Sequence, residues 1–531
     1  YTASVNSYSV GTAQVLLPRV MAGVGEILRK ATSWPVIARE TEVFLLFGGI
    51  AEKNLSVAAG GVSRHQVRSY LKTAAERGAE FHLVSPQRSD LSTDIDACWY
   101  NIIPGTDTAL MLGMAYSLIE KDNVDEAFVN TYCTGYERLR DYILGTVDGI
   151  EKNPNWASEK TGIDAEQIES LAELVANKRS LINVSWSLQR APYGEQPLWM
   201  GIALASMLGQ IGLAGGGFAH AYGASDEIGR PLTNLPLPTL SPGDNGVADY
   251  IPVARLSDML LNPGAEYDYD GERRRYPDIS LMYWAGGNPF HHQQDLFKLE
   301  RALAKVETII VHEPYWTAMA RRADIVLPAT VTVERNDIFA ARNDPRLVAM
   351  KKACDAYGEA RDDYQIFSAL AEKLGVEVEF TENRSEMEWL QHLYEDWRTS
   401  SNLNNDIPGF EDFWESNELE YQSKRSEHVL LSEFRDDPVK NNLPTPGGLI
   451  ELYSETIAGF NYDDCPGHPT WFEPLQMMES LVERKPQFIL IANNPATRLH
   501  SQLDNGTVSG VGISSGTPSA GNGGISSNTD V

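Results

Sequence analysis

The stretch SVNSYSVGTAQ at 4–14 gathers Ser4, Ser7 and Ser9 with Asn6 and Gly11 into a small, hydroxyl-rich turn. Side chains of this kind bond nearby backbone, and a serine just before a helix commonly caps it. The residues that follow, TAQVLLPRVMAGVGEIL, read as a helix interrupted at Pro18. From these residues alone, Ser9 is either a helix N-cap, the commoner use, or a catalytic group. Metal chemistry has few other protein donors in this chain. Cys98, Cys133, Cys354 and Cys465 lie far apart with no C-x-x-C, and the histidines are scattered except for His291 and His292, with no H-E-x-x-H. Such spacing writes neither a zinc site nor a cysteine-held iron–sulfur cluster. The cysteines read as small buried hydrophobes or bystanders. Any metal must be held mainly by something other than protein nitrogen and sulfur.

The other chemistry-bearing residues stand at the ends of short apolar runs. One group of runs is VFLLFGG at 43–49, AEFHLVSP at 79–86 and SLINVSW at 180–186; a second is SLMYWAGGNP at 280–289, TIIVHEP at 308–314 and ADIVLPAT at 323–330. Continuous rather than alternating hydrophobicity suits strands covered on both faces, as in parallel sheets. Between them lie helical patterns: HQVRSYLKTAAERG, DTALMLGMAYSLIEK opened by Asp107, and DAEQIESLAELVANK, where Asp164 and Gln167 have capping-box spacing. Strand–helix alternation predicts an α/β protein of two doubly wound parallel units. Ligands of such units sit beyond the carboxyl ends of the strands, which here carry Gly48, Gly49, Ser85, Pro86, Trp186, Ser187, 286–289 and 312–314. Each glycine alone is ordinary turn chemistry. Six strand ends of this kind in two groups point to a large bound cofactor.

A chain of 531 residues, 42% of them hydrophobic, is long and apolar enough for several cores. Its net charge of −29 argues against a nucleic-acid groove or an anionic membrane surface, both of which need clustered Lys and Arg. No apolar run of about 18 residues crosses a bilayer. From about 371 to 480 the chain is richer in Glu, Asp, Trp and Asn, with EWLQHLYEDW as an amphipathic helix and SNLNNDIPGFEDFW as a loop. The final stretch from Asn505 lacks aromatic residues, Lys and Arg, and is expected to be disordered over 508–531.

NSYSVGTAQ, TSWPV, FGGIAEKN, VSP, PGTDTALMLGMAYSL, SWSLQRAPYGEQPLWM, LASMLGQIGLAGGGF, YWAGGNPFHHQQD, ADIVLPATVTVERND, DCPGHPTWFEP and RLHSQLD follow one another in this order. Together they resemble the dimethyl sulfoxide / trimethylamine N-oxide / biotin sulfoxide reductase family of molybdenum oxidoreductases, over about 4–504. The resemblance implies two doubly wound parallel-sheet domains around a bis-(molybdopterin guanine dinucleotide) cofactor, with molybdenum, or tungsten in its place, and no iron–sulfur cluster in the visible residues. It divides the chain into a metal-ligand loop and connecting helix (1–35), a first dinucleotide-binding domain (36–215), a second with peripheral elaboration (216–480), the start of a truncated, β-barrel-like C-terminal domain (481–507) and the tail.

The resemblance makes Ser9 the catalytic residue and metal ligand, through its alkoxide oxygen, with Ser7 as its rival. A hard metal centre accepts such an oxygen while pterin dithiolenes supply soft sulfur. Cofactor contacts are implied at Lys53, Ser85, Gly105, Thr106, Asp107, Trp186, Ser187, Arg190, Asn288, His292, His312, Glu313, Arg335, Asp363, Asn493, Asn494, Arg498, His500, Ser501 and Gln502. The forks of Arg190, Arg335 and Arg498 suit phosphates, and Asp107, Glu313 and Asp363 can accept from guanine amino groups.

The implied activity is reduction of an S-oxide or N-oxide by oxygen-atom transfer, with electrons from an external donor: a cytochrome, a flavoprotein or a thioredoxin-like protein. A dehydrogenase of the formate-oxidising type is the alternative in the same fold, against which a serine ligand argues; a non-catalytic cofactor-binding fragment is the alternative outside it. The compartment is periplasmic or cytoplasmic, since a leader could precede Tyr1. The family's earlier segment and its closing C-terminal domain are missing from the resemblance, so the chain is expected to be a fragment. An unprotected strand at 488–491 would then make it prone to aggregate or poor in cofactor.

Overall fold

Val43–Phe47 (β1), sequence VFLLF, is buried at every position and is the middle strand of a five-stranded sheet. In the computed structural model, residues 9–474 are described apart from 59, 234–235, 248, 402–406 and 422–424, together with 489–491. The partners of β1 are Glu80–Val84 (β2), Cys98–Tyr100 (β3) and, beyond the short strand Cys133–Thr134 (β4), Ser180–Val184 (β5) and Gly217–His220 (β6). They lie in the order β3-β2-β1-β5-β6, all parallel.

Alternate residues of these strands enter different cores, because successive side chains of a strand point to opposite faces. Val43, Leu45, Phe47, Ile182 and Val184 pack on one face with the helices Asp107–Glu120, Ala165–Asn177 and Glu195–Met207. Phe44, Leu46, Phe81, Leu83 and Leu181 pack on the other with Trp34–Glu40 and Val67–Glu76. Phe44 and Phe81, paired in register, stack with ring centroids 4.4 Å apart. Glu195–Met207 is buried around nearly its whole circumference, and Gly201 lets it settle onto β5: a Cβ there would lie 2.6 Å from the Val184 side chain.

The hairpin Glu266–Tyr269 (β7) and Glu272–Arg275 (β8) leads into a second parallel sheet of Leu281–Ala285 (β9), Thr308–Glu313 (β10) and Ile325–Pro328 (β11). Met282, Ile309 and Val311 pack on the helix Leu296–Leu303, while Tyr283 and His312 face Phe367 of the helix Asp363–Leu374. The antiparallel sheet of Asp337–Ala340 (β12), Arg346–Met350 (β13) and Glu418–Glu420 (β14) has a separate core around Tyr394, Trp397 and Phe413. The chain then re-enters the first unit. Ile450–Glu451 (β15) pairs with β4, and Leu430, Phe434, Ile450 and Leu452 join the first core. Packing therefore does not divide at 215, since β6 and the 430–457 stretch both belong with the first sheet.

Several local expectations change. The helix Gly11–Val20 runs through Pro18, which sits so near its end that only the bond to the Gln14 carbonyl is lost. Asp164 holds the N-cap position of Ala165–Asn177, but its side chain makes no capping bond. Phe410–Ser416, expected within a loop, is a helix that buries Phe410 and Phe413. Cys133 is buried as expected, whereas Cys98 and Cys354 are exposed. Residues 489–491 are exposed and belong to no strand; the tail at 508–531 lies outside the described residues. No helix among the described residues is long and apolar enough to cross a membrane.

Buried charge ties the loops after β1 and β6 to the turn between β12 and β13. Arg230 reaches Asp226 at 3.1 Å and Asp344 at 3.4 Å, while Ser63 donates to Asp344 through its hydroxyl (2.7 Å) and its amide (2.8 Å). Asp344→Ala would leave Arg230 and Ser63 without this partner, and losing one member of a buried ion pair costs about 3–5 kcal/mol. A correspondingly lower denaturation midpoint is expected; an unchanged midpoint would mean that packing alone docks the loops.

Candidate functional site

From β1 the chain moves outward through β2 to β3, then returns to the opposite side of β1 as β5. The sheet's switch point thus lies between β1 and β5, where open α/β sheets bind ligands. Gly48 and Gly49 follow β1 there, both at φ +76. A Cβ on Gly48 would lie 2.1 Å from the Ser185 hydroxyl oxygen, and one on Gly49 would lie 2.2 Å from the Asp90 carbonyl. Only glycine meets both the left-handed backbone and this closeness.

Ser9 reaches the switch point through Gln189, a buried residue in the turn after β5. Gln189 donates from Nε2 to the Ser9 carbonyl (2.8 Å), accepts at Oε1 from the Ala13 amide (2.9 Å), and offers its own carbonyl to the Thr12 hydroxyl (3.0 Å). His220 backs this clamp: Nδ1 faces the Val184 carbonyl at 2.8 Å and so carries the hydrogen, leaving Nε2 toward the Gln189 amide at 3.5 Å. Burial lowers its pKa to about 4 and keeps the ring neutral. Ser9 is not the helix cap; Val10 holds that position and no side chain caps the helix. Among the described residues the Ser9 hydroxyl has no hydrogen-bond partner. Ser7 lies outside them.

Arg190 follows Gln189. Burial lowers its pKa, and no described carboxylate or carbonyl pairs with its guanidinium. Ser187 bonds Ser185 at 2.6 Å, and the indole N–H of Trp186 is buried without a partner. At the end of β2, Ser85 donates to Asp90 at 2.6 Å. Burial raises the Asp90 pKa against the pull of Lys53, and burial lowers that of Lys53 against the pull of Asp90, which places these three together. Gly105, Thr106 and Asp107 form the entry to Asp107–Glu120. Thr106 bonds the Ile103 carbonyl at 2.6 Å, and burial raises the Asp107 pKa from 3.8 to about 7.

The second sheet repeats the pattern. Asn288, 1% exposed, has neither its amide nitrogen nor its oxygen bonded, and Trp284 Nε1 and Thr330 Oγ1 are likewise buried and unpaired. Each such group costs about 1–3 kcal/mol if left so, a penalty a polar ligand would remove. Glu313 accepts from Thr317 at 3.2 Å and its pKa is raised by burial; Arg335 bonds the Thr330 carbonyl at 3.3 Å; His292 follows the turn 289–291. His312 has neighbours at both ring nitrogens. Its Nδ1 lies 2.8 Å from Asp363 and its Nε2 2.7 Å from the Tyr283 hydroxyl, so both ring nitrogens are engaged and the residue positions its neighbours. Asp363 remains exposed beside it. Asn493, Asn494, Arg498, His500, Ser501 and Gln502 lie outside the described residues.

Gln189, Asp90 and Tyr283 are the residues that the sequence reading passed over. Gln189 lies inside SWSLQRAPYGEQPLWM and Tyr283 at the head of YWAGGNPFHHQQD, so position within those motifs was the available signal; Asp90 had none.

Among the described residues, an arginine without a carboxylate or carbonyl partner, an unbonded amide, unbonded indoles, and glycines with no room for a side chain gather at the strand ends. The chain belongs to the molybdopterin oxidoreductase family, whose model matches residues 5–373. It is 42% identical over 511 residues to a biotin sulfoxide reductase of Cereibacter sphaeroides, covering 96% of this chain and 68% of that protein. It is 41% identical over 523 residues to a dimethyl sulfoxide/trimethylamine N-oxide reductase of Rhodobacter capsulatus (96% and 63%), and 38% identical over 516 residues to a trimethylamine-N-oxide reductase of Haemophilus influenzae (93% and 62%). The chain thus spans roughly two thirds of the length of these relatives. Acetylene hydratase from Pelobacter acetylenicus shares the fold, with a TM-score of 0.57 at 19% identity, covering 90% of this chain and 62% of that one.

The buried Asp107 carboxyl sets a pH test. Between 3.8 and about 7 the folded chain keeps a proton that the unfolded chain has released, so this group's contribution to stability falls as pH rises through that window. Asp107→Asn removes the penalty and is expected to raise the melting temperature of cofactor-free protein at pH 8 but not at pH 4. Equal shifts at both pH values would show that Asp107 is ionised without strain.

Proposed function

We propose that the chain is the cofactor-cradling part of an S-oxide or N-oxide reductase that uses a bis-(molybdopterin guanine dinucleotide) cofactor. The observation that supports this reading is the clamp made by Gln189, in the turn that also carries Arg190: it holds Ser9, whose hydroxyl has no partner among the described residues, against the switch point, and Arg190 likewise has no carboxylate or carbonyl partner among them. When bound, the molybdenum centre supplies two-electron oxygen-atom transfer, and an external protein donor restores the electrons. Ser9 provides the oxygen ligand. Arg190 and Arg335 hold phosphate through their forks, Asn288 and the Trp186 and Trp284 indoles find their missing partners on the dinucleotides, and Asp107 and Glu313 accept from guanine. His312 orients Asp363 toward the second dinucleotide. The names of the relatives support an oxide substrate; the orphaned groups support a cofactor with several separate polar parts.

Molybdenum analysis of the purified protein, with release of GMP on acid hydrolysis, tests the cofactor; absence of both overturns the reading. Ser9→Ala tests the ligand. Because Ser9 caps no helix, the substitution is expected to lower stability by less than about 1 kcal/mol, yet to abolish oxide reduction driven by a chemical reductant and to alter the metal's electronic spectrum. An unchanged spectrum would remove Ser9 from the coordination sphere.

A further inference from the structure

The amino ends of β1 and β5 border an open surface groove of about 650 Å³ on the edge of the first sheet opposite the proposed cradle. The two edges are separated by strands of five residues, or about 16 Å. Helix carboxyl ends converge on this edge of a parallel α/β unit, and their carbonyls attract cations. Five cationic side chains line the groove. Two have carboxylate partners: Arg39 pairs with Glu40 and Glu427, and Lys178 with Glu80. The other three do not. Arg77 bonds the Ala38 and Thr41 carbonyls, Arg179 the Ala214 carbonyl at 3.2 Å, and Arg435 the Gly209 and Ile211 carbonyls at 2.8 and 2.7 Å.

Carbonyl capping explains only part of these side chains. Arg179 and Arg435 each spend Nη1 alone, so Nε and Nη2 of both guanidinia have no partner among the described residues. Of the lining carboxylates, Glu42 accepts from the Arg179 backbone amide at 2.8 Å and Asp125 caps a helix through the Phe128 amide at 2.9 Å; neither makes an ion pair with Arg179 or Arg435, although Asp125 attracts Arg435 from farther away. Arg435 is pulled below its ordinary pKa by burial, against attraction from Tyr132, Asp125 and Asp436, and Arg179 lies near enough to repel it. In a chain of net charge −29, leaving two arginine forks unpaired in one concavity is a departure from the general charge balance.

We propose that this groove binds a small, multiply charged phosphate anion, gripped by the free edges of Arg179 and Arg435. Forks arriving from two separate elements match an anion with several oxygens in different planes better than a single flat carboxylate. The groove volume admits a group of diphosphate size, and the site is independent of the cofactor reading.

Isothermal titration of the full chain with inorganic pyrophosphate tests this, with citrate as the carboxylate comparison. Saturable pyrophosphate binding is expected, weakened at least tenfold by Arg179→Gln. Ala176→Glu, which adds a carboxylate to the lining without touching either arginine, should weaken it similarly and covers the case in which Arg179→Gln perturbs folding. Binding should persist in Arg190→Lys, which alters the cradle at the other edge. No heat with the wild-type chain, retention in both groove variants, loss in Arg190→Lys, or citrate binding as tightly as pyrophosphate would each overturn the proposal.

Discussion

Burial of β1 on both faces is the constraint from which the rest of the molecule follows. A strand reading VFLLF has no side to offer to water, so helices must cover each face and neighbouring strands must complete its hydrogen bonds. Most polar side chains then fall at the two edges of the sheet, with His82 and Asn183 as buried exceptions within it. At the carboxyl edge the strand ends converge with helix amino termini, which favour negative ligands; at the amino edge they meet helix carbonyls, which favour cations. The sorting of chemistry to opposite edges is therefore a consequence of the core.

Unbonded buried polar atoms occur in the core as well, Asn183 Oδ1 and Ser225 Oγ among them, but Asn288 is almost completely enclosed and makes no side-chain hydrogen bond among the described residues, whereas Gln189 and Gln210 are bonded several times. Gln189 spends its bonds on rigidity, fixing the Ser9 turn to β5, and His220 remains neutral so that it can support that amide. Rigid supports and unsatisfied first contacts are complementary halves of a binding site, since groups left open must also be held in place.

Apolar runs carried the fold, because strands buried on both faces announce themselves without any periodicity to decipher. What remained hidden depends on partners far away in sequence. Nothing local shows that Gln189 would turn back to Ser9 and Ala13, or that Asp90 would sit between Ser85 and Lys53. The resemblance implied a cofactor contact at His312, but nothing local shows that Tyr283 and Asp363 would meet both of its nitrogens. The helix at Phe410–Ser416 escaped for another reason: flanking Asn, Asp, Pro and Gly read as loop, while Phe410 and Phe413 were answering a satellite core supplied by Tyr394 and Trp397.

The return of the chain to its first core has a consequence for how the protein is made. Ser33 exchanges hydrogen bonds with His428, 395 residues later, and Ile450 and Leu452 pack beside strands that begin at Val43. The second sheet is in this sense an excursion within the first unit. A ribosome releases the opening strands long before the residues that complete their core, so the first unit cannot close during the early part of synthesis, and its apolar helix face must stay shielded while some two hundred residues are added. Such distant closure raises contact order and slows folding. It also makes the core on which the helix after the Ser9 turn packs depend on segments made much later.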